Sequence, residues 1–320
     1  MQYYLAPMEG ITTRIYRKAY HASFTPMDKY FTPFLSPHTK KGFTAKELAE
    51  ILPENHVGMR LVPQILTNRA EDFLRTEEKL AYYGYDEINL NLGCPSKTVV
   101  SKGRGSGFLA DPEGLDRFLN EVFDRTKVRI SVKTRIGRDD PKEFERLLEI
   151  YNQYPLKELI IHPRVQKDFY RNRPNLEIFG KAAEESRNPL CYNGDICSKE
   201  DAQAIAERFP SVTACMIGRG MIANPGLLGE ITGGEKRDYG RIRRFHDLVY
   251  GEYQSLGMGD RNVLFKMKEL WRYMGKLFPG CEKELKRIRK AEKADRYEAA
   301  VESCFAAFNN ASLHSSGDAI

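Results

Sequence analysis

Short β-branched or aromatic runs alternate with helical stretches along the first two-thirds of this 320-residue chain, and that alternation restricts the fold more than any other feature. The runs predict strands over 3–6, 27–32, 60–65, 87–91, 129–134, 158–162, 190–192 and 214–217. After them, helices are expected over 13–20, 45–51, 69–83, 112–125, 141–153, 176–186, 199–208 and 222–228. Strands separated by helices pair in parallel, because a parallel partner is reached only through a crossover. Eight such pairs fit a (β/α)8 TIM barrel within the α/β class. A doubly wound sheet needs fewer strands and commonly opens with a glycine-rich turn, whereas this chain has Pro7-Met8-Glu9-Gly10 there.

Beyond Gly233-Gly234 the pattern is helical throughout, over 241–256, 262–278, 281–290 and 294–308, with Gly257-Met258-Gly259 and Pro279-Gly280 as stops. The expected organisation is a barrel domain over 1–234, a small helical bundle over 239–310 and a flexible tail over 311–320. The net charge of +6 is uneven: residues 241–320 carry 15 lysines and arginines against 11 carboxylates, and the rest carry 35 against 33. That surplus suits a polyanionic partner and equally a solvated surface rich in Lys and Glu. No window is apolar enough to cross a bilayer, and the first residues lack the basic-then-apolar order of a secretion signal. A cytoplasmic protein without membrane contact is expected. There Cys94, Cys191, Cys197, Cys215, Cys281 and Cys304 should be free thiols; none forms a C-x-x-C pair, and no metal site is expected.

In such barrels chemistry sits at the C-terminal ends of the strands. The residues there are Pro7-Met8-Glu9-Gly10, Pro63-Gln64-Ile65, Asn91 with Cys94, Lys133-Thr134-Arg135, His162-Pro163-Arg164, Asn193-Gly194-Asp195 and Gly218-Arg219-Gly220. Each has a plain structural explanation alone: Asn-Gly-Asp is a turn signal, and Cys-Pro is commonly structural. Together they bring polar groups from seven strands to one rim. Amides freed by Gly194 and Gly218, with the Arg219 guanidinium, suit a phosphate. A cofactor held by that phosphate would lay its ring over the first, third and fifth strands. There Gln64 can donate and accept, and the Lys133 ammonium can stabilise negative charge. Flavin mononucleotide (FMN) fits, with one phosphate and an edge that becomes anionic on reduction. A sugar phosphate stays open, as does pyridoxal phosphate, which would take Lys133 as its Schiff-base lysine.

In order and spacing these residues resemble the dihydrouridine synthases, flavin enzymes that reduce uridine in RNA, usually tRNA. The resemblance is carried by Ala6-Pro7-Met8-Glu9-Gly10, Pro63-Gln64, Asn89-Leu90-Asn91-Leu92-Gly93-Cys94-Pro95, Val132-Lys133-Thr134-Arg135, Asn193-Gly194-Asp195 and Gly218-Arg219-Gly220 with Asn224-Pro225. It spans residues 3–230, and a helical C-terminal region is also found in that family. It implies FMN as cofactor, with Pro7, Met8 and Glu9 lining the ring and Gln64 and Lys133 on its polar edge. Asn193, Gly194, Asp195, Gly218 and Arg219 would hold the phosphate end. Cys94 is implied as the general acid, Asn91, Arg135 and Arg164 as contacts to the target uracil, and His162 as a neighbour of flavin and substrate. NADPH or NADH is the implied electron donor and tRNA the partner of the basic helical region; a monomer is expected.

The implied chemistry suits the residue types. Hydride would reach C6 of the uracil and a thiol would protonate C5, a general-acid step for which cysteine has a proton available near neutral pH. The uracil must first leave its base stack. Three places depart from the family pattern. Gly10-Ile11-Thr12-Thr13 stands where G-V-T-D is common, and His162-Pro163-Arg164 where His-Gly-Arg is usual. Residues 101–107 are unusually glycine-rich for a mobile loop carrying catalytic residues. Two other readings use the same residues. An FMN barrel oxidoreductase acting on a free pyrimidine or small enone has no use for a basic helical part. An RNA-binding protein with a vestigial flavin fold has no reason to keep Cys94, Lys133 and Arg219 together.

Overall fold

A computed structural model describes residues 1–37 and 42–315, with side chains to 308. Among these residues nine parallel strands form one sheet: β1 Gln2–Leu5, β2 Lys29–Phe31, β3 Leu61–Val62, β4 Gln64–Ile65, β5 Glu87–Leu92, β6 Arg129–Arg135, β7 Glu158–His162, β8 Leu190–Tyr192 and β9 Ala214–Ile217. Their order is β3-β2-β1-β9-β8-β7-β6-β5-β4, so the two ends of the sheet are neighbours in the chain, separated only by Pro63. The sheet therefore closes into the expected TIM barrel, with its third strand split in two. Pro63 explains the split, since it has no N–H for the ladder. Gln64 N then donates to the Thr32 hydroxyl (3.0 Å), while Pro63 O still accepts from Asn89 N (2.9 Å).

The intervening helices are α1 Arg14–Ser23, α2 Ala45–Ile51, α3 Ala70–Tyr82, α4 Lys97–Val100, α5 Pro112–Arg125, α6 Glu143–Tyr151, α7 Leu176–Glu185 and α8 Lys199–Arg208. The single helix expected over 222–228 is instead two, α9 Arg219–Ala223 and α10 Leu227–Gly233. Pro225 cannot continue a helix, and the Asn224 carboxamide oxygen accepts from Gly226 N (3.1 Å) to make the break.

The chain divides into two compact units. One comprises Met1–Glu9, Met27–Ile196 and Glu200–Gly218 and holds all nine strands; the other comprises Gly10–Pro26, Cys197–Lys199 and the chain from Arg219. In the second unit α1 packs on α11 Tyr239–Ser255, with Tyr16 and Phe24 edge-on to Phe245. α12 Asp260–Met274, α13 Glu282–Lys290 and α14 Ala294–Ser315 complete it. Its core polar groups are satisfied among themselves: Trp271 Nε1 donates to the Tyr297 hydroxyl (2.9 Å), which also bonds His246 Nε2 (2.7 Å). The last helix runs beyond 308, to Ser315, and the remainder of the expected tail lies outside the described residues.

Inside the barrel, alternation along the strands gathers Tyr4, Ala6, Phe31, Val62, Ile160, Cys191, Ala214 and Met216 into one apolar cluster. At its N-terminal end the first residues of β2, β5 and β7 are charged. Lys29 Nζ lies 2.9 Å from Glu87 and 3.6 Å from Glu158, all three buried. Arg60 adds a second cation to Glu87 (3.3 Å), and the Tyr4 hydroxyl donates to Glu158 (2.8 Å). Charges this deep persist only when paired, and at this end of a barrel such a cluster serves stability. Replacing Lys29 by Met leaves buried Glu158 without a cation and Glu87 with Arg60 alone, so Lys29→Met should lose about 3–5 kcal/mol in denaturant unfolding. A loss below about 1 kcal/mol would show that the cluster is dispensable.

Candidate active site

The C-terminal rim is organised by carboxamides. Glu87, Asn89 and Asn91 point the same way along β5, a polar residue at every second position. The Asn91 oxygen accepts from Gly93 N (3.1 Å) and Cys94 N (2.9 Å), tying the start of the cysteine loop to the strand that precedes it. Asn91 Nδ2 donates to Gln64 Oε1 (2.7 Å), Gln64 Nε2 to Asn89 Oδ1 (2.8 Å), and Asn89 Nδ2 to the Ser131 hydroxyl (3.0 Å). All four side chains are buried. The strand residue next to Asn91 is Lys133, and next to Arg135 is His162.

Cys94 is half-buried at the head of this chain. Burial raises its thiol above the usual range; the Ser96 amide and the Arg135 and Lys133 cations pull it back, and Glu9 adds to the rise. After Cys94 the chain forms α4, and the glycine-rich segment that follows turns into a 3-10 helix over Gly105–Ala110. Ser106 donates to the Cys94 carbonyl through its amide (3.1 Å) and hydroxyl (2.8 Å). A Cβ on Gly105 would stand 2.7 Å from that carbonyl oxygen, so the close approach requires glycine.

Lys133 keeps some exposed surface yet is ringed by protein atoms, and its ammonium has no hydrogen-bond partner or carboxylate among the described residues. Burial, helped by Arg135, pushes it down to about 8. An unpaired cation of this kind is an anion site by its chemistry.

The two buried arginines act on loops. Arg135 donates to the carbonyls of Gly93 (2.9 Å), Val165 (3.0 Å) and Phe169 (2.7 Å), joining the cysteine loop to the segment after β7. Arg164 donates to the carbonyls of Arg171 and Asn172 and forks onto both oxygens of Asp195, with a further contact to His162 Nε2 (3.0 Å). Its five N–H groups are thus engaged within the protein. These bonds hold Tyr170 with its ring over the Arg135 guanidinium (5.5 Å) and stacked on His162 (6.1 Å). Phe169 and Asn172, on either side, adopt positive φ.

At β8 and β9 the expected phosphate residues have structural duties. Asn193 Nδ2 donates to the Met216 carbonyl (2.8 Å), and the Asp195 carboxylate is held by Arg164. Gly194 leaves room for the Tyr192 hydroxyl, 2.0 Å from where a Cβ would lie. The amides of Gly194 and Gly218 make no hydrogen bond among the described residues and remain as donors. Met8 packs against Gly218, Pro7 is half-buried, and Glu9 is exposed, 3.6 Å from Lys46. Arg219 opens α9, in the other compact unit. Sequence reasoning passed over Asn89, Ser131, Ser106 and Tyr170. Only Asn89 had a signal, the polar alternation Glu87-Asn89-Asn91 on a strand otherwise apolar.

The chain matches the family model described as Dihydrouridine synthase (Dus) over residues 4–311. It is 29% identical to tRNA-dihydrouridine synthase B of Pasteurella multocida (strain Pm70), over 70% of this chain and 67% of that protein. It is 30% identical to a probable tRNA-dihydrouridine synthase of Staphylococcus aureus (strain COL), over 69% and 68%. A probable tRNA-dihydrouridine synthase 1 of Synechocystis sp. (strain ATCC 27184 / PCC 6803 / Kazusa) is 28% identical over 86% of this chain and 78% of its own. A family model spanning nearly the whole chain, met by a thiol and a lone ammonium on one barrel rim, makes this protein a member of the dihydrouridine synthase family.

Proposed function

We propose that this enzyme reduces uridine in tRNA to 5,6-dihydrouridine, with FMN as cofactor and NADPH or NADH as electron donor, working as a cytoplasmic monomer. The observation that carries this reading is Cys94, whose backbone amide is held by Asn91 and whose thiol is pushed up by burial, on the same rim as Lys133. The rim fits FMN: Lys133 offers an unpaired cation for an anionic ring edge, and the Gly194 and Gly218 amides offer donors to a phosphate. Bound flavin would supply the hydride that saturates C6 of the uracil.

The chain's own residues supply the rest. The Cys94 Sγ–H bond breaks as the proton passes to C5, completing addition across the C5–C6 double bond. The thiolate left behind faces the positive field of Arg135 and Lys133. Asn91 retains one N–H for a ring, with Gln64 behind it in the same hydrogen-bond chain, and Tyr170 with His162 presents an aromatic wall. Arg135 and Arg164 hold the loop that carries that wall. In the helical unit, Lys283, Lys286, Arg287, Lys290 and Arg296 line one groove with a single carboxylate, Asp295, which suits an RNA backbone. Exposed Phe265, with Arg261 and Lys268 beside it, suits an unpaired base. No helix among the described residues is long and apolar enough to cross a membrane.

Expressed in cells whose own dihydrouridine synthases are deleted, the enzyme should restore dihydrouridine in tRNA, read by mass spectrometry. Cys94→Ala should retain FMN but lose product formation by about 10²–10⁴-fold; product at the parent rate would remove the thiol from the mechanism. FMN affinity of the apo-protein should fall as pH rises through about 8, because Lys133 loses its proton there. Lys133→Met should weaken affinity by about tenfold at pH 7 and flatten that profile, and an unchanged profile would place the titrating group elsewhere. Charge reversal of Lys286 and Arg287 should weaken tRNA binding and flatten its log–log salt dependence by about 0.7–0.9 per lost phosphate contact. An unaltered slope would move the RNA off this groove.

A further inference from the structure

We infer that Asn89 and Ser131 are positioning residues which close the hydrogen-bond chain through Gln64 and Asn91, hold it in the polarity that the Gly93 and Cys94 amides impose, and so help decide which ring edge the rim accepts. The proposal rests on the FMN and uridine reading of this site. A carboxamide can be turned by 180°, exchanging donor for acceptor with little change of shape. Here the sense is dictated from the upper end. Gly93 and Cys94 present backbone N–H groups, which can only donate, so the oxygen of Asn91 must face them. Asn91 Nδ2 then faces Gln64, whose oxygen must turn towards it. Gln64 Nε2 consequently faces the Asn89 oxygen, and Asn89 Nδ2 faces Ser131, whose hydroxyl accepts.

Every donor in the chain points the same way, down the barrel from the cysteine loop to β6, and aligned hydrogen bonds polarise one another. The burial of Gln64, Asn89 and Ser131, each 0% exposed, makes a reversed member costly, because two donors or two acceptors would meet away from water. One N–H of Asn91, 7% exposed, is left over at the rim. A ring offering acceptors there pairs, and one offering donors is rejected. Asn89 and Ser131 lie below the rim, so their influence passes through Gln64.

Two isosteric changes at Asn89 separate polarity from mere packing. Asn89→Leu removes the acceptor and leaves Gln64 Nε2 a buried donor without a partner. Asn89→Asp keeps an oxygen that can only accept, while Ser131 can rotate its hydroxyl to donate to it. With apo-protein titrated with FMN, Asn89→Leu should lose affinity by about tenfold, one unsatisfied buried donor, and Asn89→Asp should stay within about threefold of the parent. Equal affinity in all three, or equal loss in both variants, overturns the proposal. Exchange of the Gln64 side-chain amide protons, followed by NMR without cofactor, reads the chain separately from the flavin reading. Slow exchange in the parent and Asn89→Asp with fast exchange in Asn89→Leu supports the chain even if FMN does not bind. Fast exchange in the parent overturns it.

Discussion

The active rim depends on one carboxamide oxygen. Asn91, one residue before the end of β5, accepts from two consecutive backbone amides, those of Gly93 and Cys94, and this fixes the start of the loop that carries the Cys94 thiol. Without that bond the loop would leave the strand along any direction Pro95 allowed. With it, the direction is inherited from β5, which is held on both sides by parallel ladders. The Cys94 carbonyl is then caught from the far side by Ser106, and the Gly93 carbonyl by Arg135. A thiol secured at both flanks can protonate a carbon at one defined position, which is where general-acid catalysis gains over water.

Electrostatics at the two ends of the barrel run in opposite senses. At the N-terminal end, cations and carboxylates meet within hydrogen-bond or ion-pair distance and neutralise one another. At the C-terminal end Lys133 is left without a carboxylate, at a cost visible in its lowered proton affinity. A cation left without a carboxylate among the described residues is free to meet an anionic ligand.

Much of this was legible in the residues. The strand positions followed from β-branched and aromatic runs, and Gln64, Lys133 and Cys94 from their places at or just beyond the C-terminal ends of those runs. The split at Pro63 and the break at Pro225 were less so, because a proline marks an interruption without saying whether the element resumes. The duties of Arg135 and Arg164 were hidden for a different reason. Both act on carbonyls of residues 165–172, and carbonyl positions in an irregular loop leave no side-chain pattern to read. The glycine-rich run after Cys94 read as a mobile loop, whereas Gly105 is there to let a helical turn touch the Cys94 carbonyl. Asn89 was visible but looked like part of the strand, and its role emerged only from the register that sets it beside Gln64 and Ser131.

The central claim is that a thiol and a flavin on this rim act together on uridine in RNA. The direct measurement is anaerobic: load the protein with FMN, reduce it with NADPH, add unmodified tRNA, and follow flavin absorbance together with dihydrouridine in the RNA. Reoxidation matched one-to-one by dihydrouridine is the predicted result. Reduced flavin that persists in the presence of unmodified tRNA, with no dihydrouridine formed, would contradict the account.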